Sequence, residues 1–232
     1  MLLQIQTGVG GGMETQVDEP VKKTLSIMEL ITSGGVGGLV IMGVLFILFS
    51  IAIYIFIERY QSISKAGRLD QGFITSVKSQ VAAGKLDAAK AMCLSVNTPV
   101  ARMIEKGISR IGRPLKDIAA AIENTGKIEV LQLERNLALL ATISGAAPMI
   151  GFLGTVIGMI LAFHEMAAAG GQIRVDMLAE GIYTAMTTTV AGLFVGIVSY
   201  MSYNILVSKV NKVVYQMEVS ATEFMDLLNE EV

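Results

Sequence analysis

The sequence predicts an all-α integral membrane protein with three membrane-spanning helices, two of them extended into a cytoplasmic helical bundle. Three observations carry this expectation. The 232 residues are 53% hydrophobic and 16% charged, where a soluble domain averages ~25% charged. Three stretches, 39–57, 137–163 and 181–207, carry no formal charge, and crossing a hydrocarbon core takes ~20 apolar residues. Between and after them, apolar residues recur at helical spacing and Gly or Pro punctuates short segments.

Residues 1–38 read as an external segment. Pro20 follows Asp18 and Glu19, an arrangement suited to the first turn of a helix. Val21, Leu25 and Met28 then repeat at helical spacing, so Val21–Thr32 is expected to be an amphipathic helix on the membrane surface. The alternative is a weakly ordered tail. The glycine-rich run 33–38 should end it.

The first span covers 39–58. Its core, Leu39–Ile57, is rich in Ile, Leu, Val and Phe and should face lipid. Glu58 and Arg59 close it.

Residues 59–136 hold 13 of the 18 Lys and Arg. The positive-inside rule places them in the cytoplasm. The N-terminus and the 165–180 loop, which carries Arg174 alone among the basic residues, are then external. Phe73, Val77 and Val81 mark one apolar helix face, and Met103, Ile104, Ile108 and Ile111 another. Gly84, Pro99 and Gly112 separate short helices. From Pro114 the pattern allows one continuous helix as far as Phe163, with Gly126 as its weak point.

The second span, 137–164, and the third, 181–207, differ from the first. Gly151, Gly154 and Gly158 in one, and Gly192 and Gly196 in the other, let a second backbone come close. Pro148 removes a helical hydrogen bond and should bend its helix. Thr155 places a hydroxyl near mid-span. Thr184, Thr187, Thr188 and Thr189 place four hydroxyls within two turns. A single threonine in a membrane helix commonly bonds back to its own i−4 carbonyl; so many together favour a polar-lined interior. After the third span, Val210, Val213, Met217, Ala221, Phe224 and Leu228 continue near heptad spacing, so 208–232 should be a cytoplasmic helix of the bundle.

Several function classes find no support. Net charge is −2, which gives no argument for nucleic acid. There is one cysteine, Cys93, and one histidine, His164, so no internal disulfide and no metal-ligand cluster is expected. No HExxH, no GxSxG and no paired intramembrane acids are present, so neither an enzyme nor a cofactor is expected.

Ala147–Met159 reads A-P-M-I-G-F-L-G-T-V-I-G-M. It resembles the P-x-x-G-x-x-G-T-x-x-G pattern of the MotA/TolQ/ExbB proton-channel family. Gly181-Ile182 and Thr189-Val190-Ala191-Gly192-Leu193 are similar to that family's G-I…A-T-A-I-G-L pattern. With the large insert between spans one and two, the resemblance is closest to the ExbB/TolQ type. It implies a homopentameric ring around a lumen in the bacterial inner membrane. It implies single-span ExbD/TolR-type helices in that lumen, whose aspartate takes up protons facing Thr155 and Thr189. It further implies a TonB- or TolA-type protein doing work on an outer-membrane system. The family commonly has a glutamate where this chain has Thr184, which leaves Glu180, one turn earlier, as the candidate acid; its other reading is a carboxylate favoured by a helix N-terminus.

The expected function is that of a proton-channel subunit coupling the proton motive force to mechanical work, with Thr155, Thr189, Thr188 and Thr184 along the pathway. Hydroxyls both donate and accept, so they can order water without fixing charge. Sodium is an alternative ion, since threonine oxygens could coordinate it. Alternative roles are a stator or gliding-type motor subunit, or a non-conducting scaffold.

Overall fold

A computed structural model describes residues 35–67, 71–168 and 175–230, the side chains of residues 35, 36, 71, 175–177, 230 and Glu180 excepted. The expected surface helix Val21–Thr32 and Arg174 lie outside the described residues, as does the Glu180 carboxylate. The described elements are α1 (Gly35–Ala66), α2 (Gln71–Ala82), α3 (Leu86–Val96), α4 (Pro99–Ile108), α5 (Leu115–Leu133), α6 (Leu137–Ala168) and α7 (Val175–Glu230). No strand occurs among them. Three helical stretches are long and apolar enough to cross a membrane, and they contain the three expected spans. This is an all-α membrane protein.

α1 begins inside the glycine run and continues past Glu58 and Arg59 to Ala66. Ile63, 1% exposed, packs into the core one turn beyond those charges, so burial carries the helix on until Gly67. The charges end the apolar span but not the helix. Ile41, Leu45, Ala52 and Ile55 form its buried stripe, while Val40, Phe46, Ile47 and Tyr54 remain exposed. One face therefore packs inward, where Phe49 and Phe194 of α7 meet at 5.8 Å between ring centroids, and the other is free to meet lipid.

The turns between the short helices fall at Gly84 (φ 70), Asn97 (φ 48) and Gly112 (φ 95). Thr98 caps α4, its hydroxyl accepting from Ala101 N at 3.4 Å, with Pro99 in the first turn; that side-chain acceptor and the preset proline φ define a helix start. α2, α4 and α5 pack against the distal part of α7, and α3 packs on α2 and α4. Phe224 fills the centre of this bundle, in a hollow opposite Gly107, where an added Cβ would come within 2.9 Å of its ring.

The expected unbroken helix from Pro114 to Phe163 is two helices. Residues 134–136 interrupt it, and Asn136 takes the left-handed conformation (φ 64), which Asn tolerates better than most residues. Gly126 is not the weak point. It lies inside α5, buried, and a Cβ there would stand 2.9 Å from Met103 Sδ. The glycine permits α4 to approach; the joint lies where α5 leaves the bundle. α7, by contrast, runs unbroken for 56 residues, about 84 Å at ~1.5 Å each, against a hydrocarbon core of ~30 Å.

Candidate functional site

α6 and α7 run antiparallel and share the largest packing seam in the fold. Its rungs are small residues. A Cβ added to Gly196 would meet Pro148 Cγ at 2.6 Å, one on Gly192 would meet Ala147 O at 2.6 Å, and one on Gly158 would meet Ala185 Cβ at 2.9 Å. Gly181 abuts Ala162. As α6 advances from 148 to 162, α7 retreats from 196 to 181, so one register holds along the whole seam. Such contact excludes larger side chains and brings polar backbone within reach of the threonines. Pro148 sits inside a continuous α6, its ring against the Gly196 backbone.

At mid-seam, hydroxyls and carbonyls converge. Thr155 Oγ1 and Thr189 Oγ1 form a hydrogen bond. Thr155 Oγ1 also donates to Ala185 O at 3.1 Å, and Thr189 Oγ1 to Gly151 O at 3.2 Å. Thr188 Oγ1 reaches both carbonyls, 2.7 Å from Ala185 O and 3.2 Å from Gly151 O. Thr188 occupies the notch left by Gly154, where a Cβ would collide with its side chain. Each hydroxyl has one proton and can accept as well as donate. The pair can thus be polarised either way: Thr155 to Thr189 to Gly151 O, or Thr189 to Thr155 to Ala185 O. Thr188 is placed to serve whichever carbonyl is left without a donor.

The four clustered threonines are parted by the structure. Thr155 and Thr189 are half-buried at the seam's edge, beside the exposed Phe152 and Met186. Thr188 is 3% exposed, inside the seam. Thr184 is buried and turned towards α1, its Cγ2 3.6 Å from where a Gly38 Cβ would stand. Thr187 bonds back to Tyr183 O at 3.0 Å, the ordinary fate of a membrane threonine. The carbonyls of Gly151 and Ala185 were not legible in the sequence; the structure brings them to the threonines because Gly151 and Gly158 meet small residues of α7. Among the described residues no group of three His, Cys, Asp or Glu could hold a metal ion.

Residues 95–219 match the MotA/TolQ/ExbB proton channel family. That stretch is more than half of the chain and includes the whole hydroxyl site. The chain belongs to this family. Among its relatives, it is 29% identical over 84% of its length to a biopolymer transport protein ExbB homologue of Methanothermobacter thermautotrophicus, covering 67% of that protein. It is 36% identical over 44% of its length to the Tol-Pal system protein TolQ of Haemophilus influenzae, covering 44% of it. It is 42% identical over 28% of its length to the biopolymer transport protein ExbB1 of Vibrio cholerae, covering 29% of it. As a MotA/TolQ/ExbB chain of the ExbB/TolQ type, the protein is a proton-channel-type, energy-transducing membrane subunit. This is a family of channels and transducers, not of enzymes.

Proposed function

We propose that this chain couples the proton motive force to mechanical work as the ring-forming subunit of an inner-membrane motor, with Thr155 and Thr189 on the proton path. The observation that carries the proposal is the reversible hydroxyl pair between α6 and α7, in spans that hold no Asp, Glu, Lys or Arg. An ionisable group at mid-bilayer costs about 2.5–3.5 kcal/mol on insertion scales. The chain avoids that cost and offers groups that pass a proton on without holding one. The titratable group then comes from a single-span ExbD/TolR-type partner in the lumen, and its protonation releases that helix to move against the ring. One charge falling through 100 mV yields about 2.3 kcal/mol, so several protons drive each mechanical step delivered to a TonB- or TolA-type protein.

The proposed path is narrower than the sequence suggested. Thr188 serves it from within the seam by holding the two carbonyls, and Thr184, packed towards α1, stands apart from it. The homo-oligomeric reading draws support from a groove of about 880 Å³ outside the spans, between α5 and α7, lined by Met103, Gly126, Leu131, Met217 and Met225. Its lining is chiefly apolar, so a helix of a neighbouring copy seated there would remove those side chains from water. The basic 59–136 region sets the proposed orientation, with the N-terminus periplasmic and the C-terminus cytoplasmic.

The test is proton-driven function of Thr155→Val and Thr189→Val in complexes whose assembly is verified, with Thr187→Val as the control. The first two are expected to lose function and the third to keep it. Full activity of an assembled Thr155→Val complex overturns the role of the pair. Exchanging protons for sodium as the driving ion separates proton from sodium coupling.

A further inference from the structure

A second cluster of polar groups lies where α1 leaves the membrane. Arg59 ends the charge-free run of α1, so it stands at headgroup depth, yet it is 8% exposed. Its Nη1 donates to Gln132 O at 3.2 Å and its Nη2 pairs with Glu58 Oε1. Its Nε is buried and has no hydrogen-bond partner among the described residues. A buried guanidinium N–H without an acceptor is costly, and such groups call for an explanation.

Arg59 lines a cleft of about 610 Å³ that also takes in Lys65, Arg102, Arg135, Thr98 and Glu129. The charges are unequal. Arg102 is matched by Glu129 through two hydrogen bonds, at 2.7 and 2.5 Å. Lys65 and Arg135 are exposed and make no ion pair among the described residues. The cleft therefore presents two exposed cations outside any ion pair among the described residues, Lys65 and Arg135, the latter also acting on the Glu58 carboxylate, with a buried unpaired donor and the Thr98 hydroxyl. Further along the charge-free stretches from this level, Tyr54 and Ile57 of α1 and Leu139 of α6 are 68%, 51% and 48% exposed.

We propose that this cleft binds the phosphate group of an anionic membrane lipid, with Lys65 and Arg135 on the phosphate and the acyl chains along α1 and α6. The shared chemistry is that of any phosphate anion, for which convergent Arg and Lys side chains are suited. Depth selects the lipid as the source. Basic pockets between spanning helices at the headgroup level attract anionic lipids through surface potential and direct pairing together. The site lies away from the hydroxyl pair and does not rest on proton conduction. Its consequence is a lipid wedged at the meeting point of α1, the α3–α4 turn and the end of α5.

The test uses the full chain in detergent micelles at constant ionic strength, with native mass spectrometry reading bound lipid. Phosphatidylglycerol is expected to bind about 10-fold or more tightly than phosphatidylcholine. The double variant Lys65→Gln/Arg135→Gln, at two exposed positions, is expected to lose that preference while keeping its melting temperature. The variant Lys116→Gln/Lys127→Gln removes the same charge elsewhere and is expected to retain it. Equal binding of the two lipids overturns the proposal, as does an equal loss in both double variants. Displacement of phosphatidylglycerol by equimolar inorganic phosphate overturns the lipid as the source.

Discussion

Gly151 and Gly192 face each other so closely that neither can carry a side chain. A Cβ on Gly151 would stand 3.0 Å from Gly192 Cα, and one on Gly192 would stand 2.9 Å from Gly151 Cα and 2.6 Å from Ala147 O. The obstacles are backbone atoms, which cannot swing aside. Gly192→Ala is expected to cost about 1–3 kcal/mol through overpacking, seen as a lowered melting temperature in detergent. Gly43, in α1, has nothing within 4 Å of an added Cβ. Gly43→Ala is expected to leave the melting temperature unchanged or slightly raised.

Thr188 tests the division of labour among the hydroxyls. Its side chain is buried and holds Gly151 O and Ala185 O. Thr188→Val is expected to lower stability by about 0.6 kcal/mol, and by no more than ~1.7, the range for interhelical hydrogen bonds in membranes. Proton-driven function is expected to persist in the assembled variant, unlike in Thr155→Val. Equal loss in both would place Thr188 on the path itself.

In the bundle, Glu129 is 5% exposed and bonded twice to Arg102. Arg102 also donates from Nη1 to Asn97 O and Oδ1, both at 2.8 Å. The Glu129 carboxylate holds the Arg102 guanidinium above its ordinary range. Arg102→Met strands a buried carboxylate and is expected to cost about 3 kcal/mol; Arg102→Met with Glu129→Leu is expected to recover most of that. Chemical denaturation of the two variants decides it.

Cys93 is buried in α3, and burial pushes its thiol from 9.0 up to about 11, with Glu105 adding in the same direction. The folded state therefore binds a proton that the unfolded state releases earlier. The contribution of this thiol to stability is full below pH 9.0 and is lost as pH rises towards about 11. At pH 8 the thiolate fraction is about 100-fold lower than in the unfolded chain. Iodoacetamide is expected to label Cys93 readily in denaturant and far more slowly in the folded protein.

What could be read from the residues follows from which signals are local. The three spans were legible because charge-free length needs no partner to interpret. The unbroken α7 was legible because Val210 to Leu228 keep their spacing without a breaker. The joint at 134–136 was not, because one Asn in a left-handed conformation leaves no mark among Glu, Arg and Asn. Gly126 attracted suspicion for want of a side chain, when Met103 of another helix is what requires the gap. For the site, composition offered Thr155 and the cluster of four threonines, and the family resemblance singled out Thr155 and Thr189, but neither showed how Thr184, Thr187, Thr188 and Thr189 would be parted. That separation depends on the rotation of α7 about its axis, which the glycine seam sets. The two carbonyls were invisible, since every residue carries one.

The interruption at Asn136 gives α7 and the α5–α6 pair unequal mechanics. α7 is a single beam from Val175 to Glu230, anchored at one end by the glycine ladder and at the other by Phe224. The α5–α6 rod has a knee at 134–136, where its charge-free stretch begins. A tilt of the beam in the bilayer must swing the whole bundle, while a tilt of α6 can be taken up at its knee and leave the bundle where it was.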